Sequence, residues 1–337
     1  MKSVQFIEPG KFDIIHTDKP NIGDEDVLLQ IKAVGICGTD LHIYTGKLTT
    51  PTPMVLGHEF VGDVVGVGKN VQHITIGEKA VAEHVIGCGI CQYCQDGEKN
   101  LCLKPTTIGI NAPGALAEYV AIPASLVYTL PQNFTYDQGV LVEPLSIAVY
   151  SLKKTTITKD STVVVIGQGP VGLLLDQVVK AKGATVFGID IVESRLQFAK
   201  EKQYIDEYVN ANEDVTQKFK QLINSDGADV LFEVVGLEKT MEMAINLVRA
   251  GGQIVVLGVF GKPVIMDMMK VVKRELKIEG SWTCRSSFQQ AIELLQNKIV
   301  SVNGLVTHRY PFTQTKQAFE DALHPTDDRI KTVIEFS

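Results

Sequence analysis

The chain has 337 residues, enough for about two domains rather than one core. Hydrophobic residues make up 45% and charged residues 21%, an ordinary globular balance, and a net charge of −7 offers no basic face to DNA or RNA. The first residues carry one lysine and no long apolar run, so a signal peptide is not expected, and no stretch approaches the roughly 18 apolar residues of a membrane span.

From residue 3 to about 85, short β-branched segments alternate with turn residues. Segments 27–34, 61–67 and 79–85 read as strands, and Pro9-Gly10, Pro20, Gly23, Pro51, Pro53 and Gly77 punctuate them. Regularly spaced short strands of this kind predict a small barrel or sandwich. Residues 37–44 read as one or two helical turns set into it. Cys37, with His58 and Glu59, offers a thiolate, an imidazole and a carboxylate, the donor set of a zinc site that keeps one position open for chemistry. Thr39 and His42 add a hydroxyl and a titratable ring. A lone cysteine or histidine is by default a core residue; the motifs further along give these two a chemical reading.

Residues 86–105 form a loop in which Cys88, Cys91, Cys94 and Cys102 follow the spacing C-x2-C-x2-C-x7-C. Four thiolates so close together make a poor disulfide framework and close a tetrahedral shell around a structural zinc. Ferredoxin-type runs continue with a cysteine after three residues and then proline, which is absent here. Thiolate ligands call for a reducing, cytoplasmic setting. Strands follow at 117–123 and 126–130, then helical periodicity over 136–153, with an interruption expected at Pro144. Glu143 lies among Leu141, Val142, Leu145 and Ile147, where a carboxylate needs a cation or a hydrogen bond.

At about residue 161 the texture changes to alternating strand and helix. Segment 162–166 is continuously apolar, as in a strand covered on both faces. It runs into Gly167-Gln168-Gly169-Pro170-Val171-Gly172, a helix to about 182, and a strand over 184–189 that ends at Asp190. G-x-G-x-x-G alone is weak. With a strand before it, a helix after it and the acid beyond, it is a dinucleotide fingerprint: the glycines let a pyrophosphate approach N–H groups at the positive end of a helix. Asp190 can accept both ribose hydroxyls and repel a 2′-phosphate, which favours NAD over NADP. Helices at 193–203, 214–224 and 237–249 then alternate with strands at 207–209, 229–234, 253–257 and 276–279, predicting an α/β doubly wound parallel sheet. Beyond 286, a helix over 288–297 leads back to the texture of the N-terminal part.

These pieces resemble, over the whole length, the zinc-dependent medium-chain alcohol and polyol dehydrogenases. The matching marks are Gly35-Ile36-Cys37-Gly38-Thr39-Asp40, Gly57-His58-Glu59, the four-cysteine loop, Val142-Glu143-Pro144-Leu145, Gly167-x-Gly169-x-x-Gly172 and Thr307-His308-Arg309. The resemblance implies a GroES-like β-barrel catalytic domain from 1–147 and 286–337, with a Rossmann NAD-binding domain over 148–285 inserted into it and the active site in the cleft. Alcohol dehydrogenases carry a third zinc-binding cysteine where this chain has Glu143, so the sequence is similar to the sorbitol/threonine dehydrogenase branch, and to galactonate 5-oxidoreductases and starvation-sensing-type homologues.

Residue by residue, the resemblance makes Cys37 and His58 ligands of a catalytic zinc, with Glu59 and Glu143 sharing the remaining coordination and neither fixed as the fourth ligand. Asp40 would orient the histidine, and Thr39 and His42 would relay the proton as hydride leaves for NAD. Gly167, Gly169, Pro170, Val171, Gly172, Asp190, Arg195, Leu257, Gly258, Val259, Ser281 and Trp282 would contact the dinucleotide. Two zinc ions per chain, a small polyol or sugar-acid substrate such as galactonate, and a homodimer or homotetramer follow as expectations. Threonine-type and polyol-phosphate enzymes of the same family are alternatives, and so is a silent NAD-binding regulator. A zinc-free quinone reductase has no use for the retained donors. Sorbitol dehydrogenases carry Arg-Tyr where this chain has Thr283-Cys284, which leaves Arg285 as the candidate for a substrate carboxylate. Histidines 16, 73, 84, 308 and 324 read as surface or structural, and Cys284 as an inert thiol.

Overall fold

The structure, a computed structural model, describes residues 1–223, 225–324 and 328–336. It divides into two compact units: Met1–Ser146 with Cys284–Gln296 and Val302–Ser337, and Ile147–Thr283 with Asn297–Ser301. The chain begins with the hairpin β1 (Lys2–Glu8) and β2 (Lys11–His16), then β3 (Asp26–Gly35), α1 (Gly38–Tyr44), β4 (Met54–Val55) and β5 (Glu59–Val67). Next come β6 (Lys79–Ala82), β7 (Val85–Ile86), α2 (Gln92–Gln95), β8 (Thr106–Thr107), β9 (Tyr119–Pro123) and β10 (Val127–Thr129).

The helical stretch after β10 breaks at Leu141, giving α3 (Tyr136–Val140) and α4 (Val142–Leu152), and not at Pro144 as the sequence suggested. Thr135 caps α3 by accepting from the Gln138 N–H. Pro144 falls in the first turn of α4, where no intrahelical N–H is required, so it starts a helix there rather than kinking one.

The second unit runs β11 (Thr162–Ile166), α5 (Pro170–Lys180), β12 (Thr185–Asp190), α6 (Glu193–Glu201), β13 (Glu207–Asn210) and α7 (Val215–Leu222). It continues with β14 (Ala228–Glu233), α8 (Glu238–Leu247), β15 (Val248–Val256), α9 (Met268–Lys273) and β16 (Lys277–Gly280). All six strands are parallel, in the order β13-β12-β11-β14-β15-β16. On one face Val164 and Ile166 of β11 pack with Phe219 of α7 and Met241 and Ile245 of α8. Val163 and Val165, pointing the other way, are equally buried, which explains the absence of polar alternation in this strand. Strand β15 starts five residues before the expected 253, because Gly251 takes a positive φ of 69° where the pairing register with β14 shifts. The expected helix 214–224 is α7, capped by Asp214, and residue 224 lies outside the described residues. Helix α9, capped by Asp267, had no periodicity that announced it.

The chain returns to the first unit with α10 (Phe288–Gln296), β17 (Val306–Pro311), α11 (Thr315–Leu323) and β18 (Lys331–Glu335). The main sheet there runs β10-β6-β5-β3-β18-β17, with β9 also paired to β3. Strand β3 is buried along most of its length because three strands pair with it, and Leu29, Ile31, Phe60, Val64, Ile122, Phe319 and Ile334 share its core. Register then does the positioning: Gly35, the last residue of β3, lies opposite Glu59 of β5 on one side and Val333 of β18 on the other.

Candidate active site

Three elements converge at the end of β3. Cys37 precedes the first residue of α1, and its backbone N–H donates to Asp40 Oδ2 at 3.0 Å. Asp40 is thus the helix's own N-terminal acid, and its other oxygen lies 3.5 Å from His58 Nδ1. The ligand atoms of Cys37, His58 and Glu59 all lie within 4.8 Å of one another, and His58, Glu59 and Asp40 are buried. Donors on a zinc tetrahedron stand roughly 3.3–3.8 Å apart, so a small contraction brings these three onto one ion. His58 Nδ1 and Asp40 Oδ1 are buried without a hydrogen-bond partner, an arrangement that fits a ring oriented by a carboxylate with its other nitrogen directed to a metal. Burial opposes the charge on His58, but Asp40 and the Cys37 thiol raise its pKa well above the ordinary value, so a metal ion must displace a proton here.

Gly35 makes this convergence possible. A side chain there would meet Glu59 Oε2, Lys331 Cε at 2.7 Å and Val140 at 3.1 Å. Lys331, at the start of β18 and 2% exposed, pairs with Glu59 Oε2 and donates to the Ile36 carbonyl at 3.0 Å. Burial disfavours its charge, yet Glu59 and Cys37 hold its pKa above the usual lysine value. Lys331 has no signal in the sequence beyond a charge that opens the strand Lys331–Glu335 ahead of Val333 and Ile334.

Glu143, in the first turn of α4, is buried but does not belong to the group of three within 4.8 Å. Burial first, then the neighbouring Glu59, push its pKa up to about 8. His84 faces it, with Nδ1 3.5 Å from Glu143 Oε1. His84 is 4% exposed, with its ring centroid 5.1 Å from that of His58, so it is not a surface residue but part of the wall of the site. Burial, and then His58 and Lys99, lower its pKa to about 3 and keep the ring neutral. The available signal was its place inside the strand expected over 79–85. Cys284 is buried too, and its thiol is pushed well above the normal range by burial and then by Glu143 and Glu83, as an inert thiol should be.

Thr39 and His42 sit one turn apart on α1, so they share a face. Partial burial, then Lys47, lower the His42 pKa and favour the neutral ring.

In the cysteine loop, the four Sγ atoms also lie within 4.8 Å of one another, and Cys102 Sγ accepts from the N–H groups of Cys88 at 3.2 Å and Lys104 at 3.4 Å. Backbone N–H groups aimed at sulfur favour the thiolate, and Cys91 falls to about 6 chiefly through the N–H groups of Leu103 and Cys94. Lys99 of this loop pairs with Glu83, which also accepts from Tyr128 Oη at 2.8 Å. Arg285 donates to Glu98 of the same loop at 2.7 Å and is committed there.

In the second unit, Gly167 has φ +105°, and a side chain on Gly172 would strike the Gly167 carbonyl, so both positions need glycine. A Cβ on Gly169, just before α5, would meet nothing within 4 Å. Pro170 and Val171 open the helix, whose N–H groups point out of its first turn. Asp190 accepts from the N–H of Gln168 at 2.6 Å and of Val192 at 2.9 Å, which ties the acid to the glycine turn, and Arg195 stands 3.9 Å away. Gly258, between Leu257 and Val259, packs against Gly236 and Glu233; Ser281 N–H donates to Val256 at 2.8 Å, and Trp282 is exposed.

Two family profiles match the chain, "Alcohol dehydrogenase GroES-like domain" over residues 23–132 and "Zinc-binding dehydrogenase" over 170–297. The chain belongs to the zinc-dependent medium-chain alcohol and polyol dehydrogenases, an α/β family of NAD(P)-dependent oxidoreductases that joins a GroES-like domain to a Rossmann domain. Among its relatives, sorbitol dehydrogenase of Bacillus subtilis is 32% identical over 94% of this chain and 91% of its own, and L-idonate 5-dehydrogenase of Vitis vinifera is 32% identical over 89% and 86%. The crystal structure of an oxidoreductase/dehydrogenase of unknown specificity from Escherichia coli matches with a TM-score of 0.94 at 31% identity, over all of both chains. Among the described residues, no helix is long and apolar enough to cross a membrane.

Proposed function

We propose that this dehydrogenase oxidises a secondary alcohol of a small polyhydroxylated substrate to the ketone, with NAD as acceptor. The observation that carries the reading is the meeting of half-buried Cys37 with buried His58 and Glu59, with Asp40 behind His58. These three donors would hold a catalytic zinc, with Glu143 as the second carboxylate sharing the coordination, and Cys88, Cys91, Cys94 and Cys102 a structural one. When bound, zinc supplies Lewis-acid polarisation of the substrate hydroxyl and the nicotinamide supplies the hydride acceptor.

The chain's own residues do the rest. Thr39 Oγ1 takes the hydroxyl proton, and His42, neutral and on the same helix face, receives it. Asp40 fixes the His58 ring, and Lys331 neutralises Glu59, so that the site does not bury an unpaired carboxylate. Gly167, Gly169 and Gly172 admit the pyrophosphate, Asp190 and Arg195 meet the adenosine ribose, and Val171, Leu257, Gly258, Val259, Ser281 and Trp282 line the nucleotide.

Relatives named for sorbitol and for L-idonate support a sugar alcohol or a sugar acid as the substrate class. The pairing of Arg285 with Glu98 removes the cation singled out for a substrate carboxylate and favours a neutral polyol. Screening polyols, aldonates and polyol phosphates for NADH production tests this: turnover of polyols above aldonates is expected, and turnover of none of the three would overturn the reading.

A further inference from the structure

The fold places His84 beside the Cys37-His58-Glu59 cluster. It is 4% exposed, its ring centroid lies 5.1 Å from that of His58 at an interplanar angle of 55°, and its carbonyl is fixed by the Ile108 N–H at 2.8 Å. The residue before it, Glu83, is anchored by Lys99 and Tyr128, so the backbone at this point is held from both sides. Yet His84 Nδ1 has no hydrogen-bond partner, and the group it faces is Glu143 Oε1 at 3.5 Å. Glu143 in turn stands apart from the three clustered donors. A buried carboxylate that shares a metal with another must have a polar group to hold it when it is off the ion.

We propose that His84 is a positioning residue for Glu143: its Nδ1–H donates to the carboxylate and fixes where the second glutamate stands beside the metal. The proposal rests on the zinc reading above. The histidine does not ligate the ion; it governs how firmly Glu143 guards it. Partners of this kind commonly change metal affinity by about 10- to 100-fold when removed.

The test is zinc release from the holoenzyme to a chromogenic chelator, together with the visible spectrum after replacement of the catalytic zinc by cobalt. His84→Leu is expected to speed release about tenfold and to alter the cobalt bands. His84→Asn, whose amide nitrogen can take the place of Nδ1, is expected to restore slow release, and His84→Gln, whose amide tracks Nε2, is not. In a Glu143→Gln background, His84→Leu should add nothing. Release at the wild-type rate in His84→Leu, equal behaviour of the Asn and Gln variants, or the same tenfold step with Glu143→Gln would each overturn the role of His84. The Asn and Gln pair decides the matter even if His84→Leu does not fold. If Cys37→Ser releases as much zinc as the wild type, the zinc reading itself has failed, a result distinct from any of these.

Discussion

The two clusters of candidate metal donors in this chain are built in opposite ways. The cysteine loop draws its four sulfurs from fifteen consecutive residues, 88–102, and backbone N–H groups of the same loop point at them. The other cluster draws Cys37 from just before a helix, His58 from just before a strand, Glu59 from that strand's first position, and the supporting Lys331 from the far end of the chain. The first is closed and local, which suits a staple; the second offers three donors and depends on sheet register, which suits chemistry.

That contrast is best broken by substitution. Cys37→Ser should lower turnover by about a thousandfold or more while NADH binding, followed by fluorescence, stays within about twofold; near-normal turnover would remove the ion from the mechanism. Cys94→Ser should do the reverse. Loss of one thiolate is expected to cost several kcal/mol of stability, seen as a lower Tm, with kcat per folded molecule within about twofold. Lys331→Met leaves Glu59 buried and unpaired, and should destabilise the first unit by about 3–5 kcal/mol in denaturant titration; a smaller loss than about 1 kcal/mol would show that the pair carries no such burden. Asp190→Ala should shift the NAD-to-NADP preference by about tenfold or more in kcat/KM, and unchanged selectivity would release that residue from its role.

The pH response separates the two clusters further. His58 and Glu143 both have raised pKa values, the latter about 8, so a zinc ion taken up by either would have to displace its proton. Zinc affinity at the buried cluster should therefore climb through the range from pH 6 to 8, by about tenfold per unit for each proton displaced, and fall on acidification. The raised Glu143 carboxyl also makes the metal-free fold less stable as pH rises from about 4.5 towards 8, because the unfolded chain gives up that proton first. A chelator competition series that came out flat across this range would contradict the first statement, and denaturant titrations of the metal-free protein that showed no loss of stability would contradict the second.

How much of this was legible in the sequence follows from the same contrast. The cysteine loop and the glycine turn were readable because their parts are contiguous and their spacing is their geometry. The Cys37-His58-Glu59 set was readable as a donor set of suitable chemistry, but not its assembly, since nothing local announces that Gly35 lies opposite Glu59. His84, Lys331 and the commitment of Arg285 to Glu98 were not legible: each depends on tertiary pairing between segments far apart in the chain. The helix break at Leu141 was misplaced because Pro144 was weighed as a breaker, whereas position within the first turn makes proline harmless.

Metal content is the most direct measure of the account. Elemental analysis of the wild type and of Cys37→Ser, prepared side by side, is expected to give two zinc ions per chain in the first and one in the second. Equal zinc in both proteins would contradict an ion held by Cys37, His58 and Glu59.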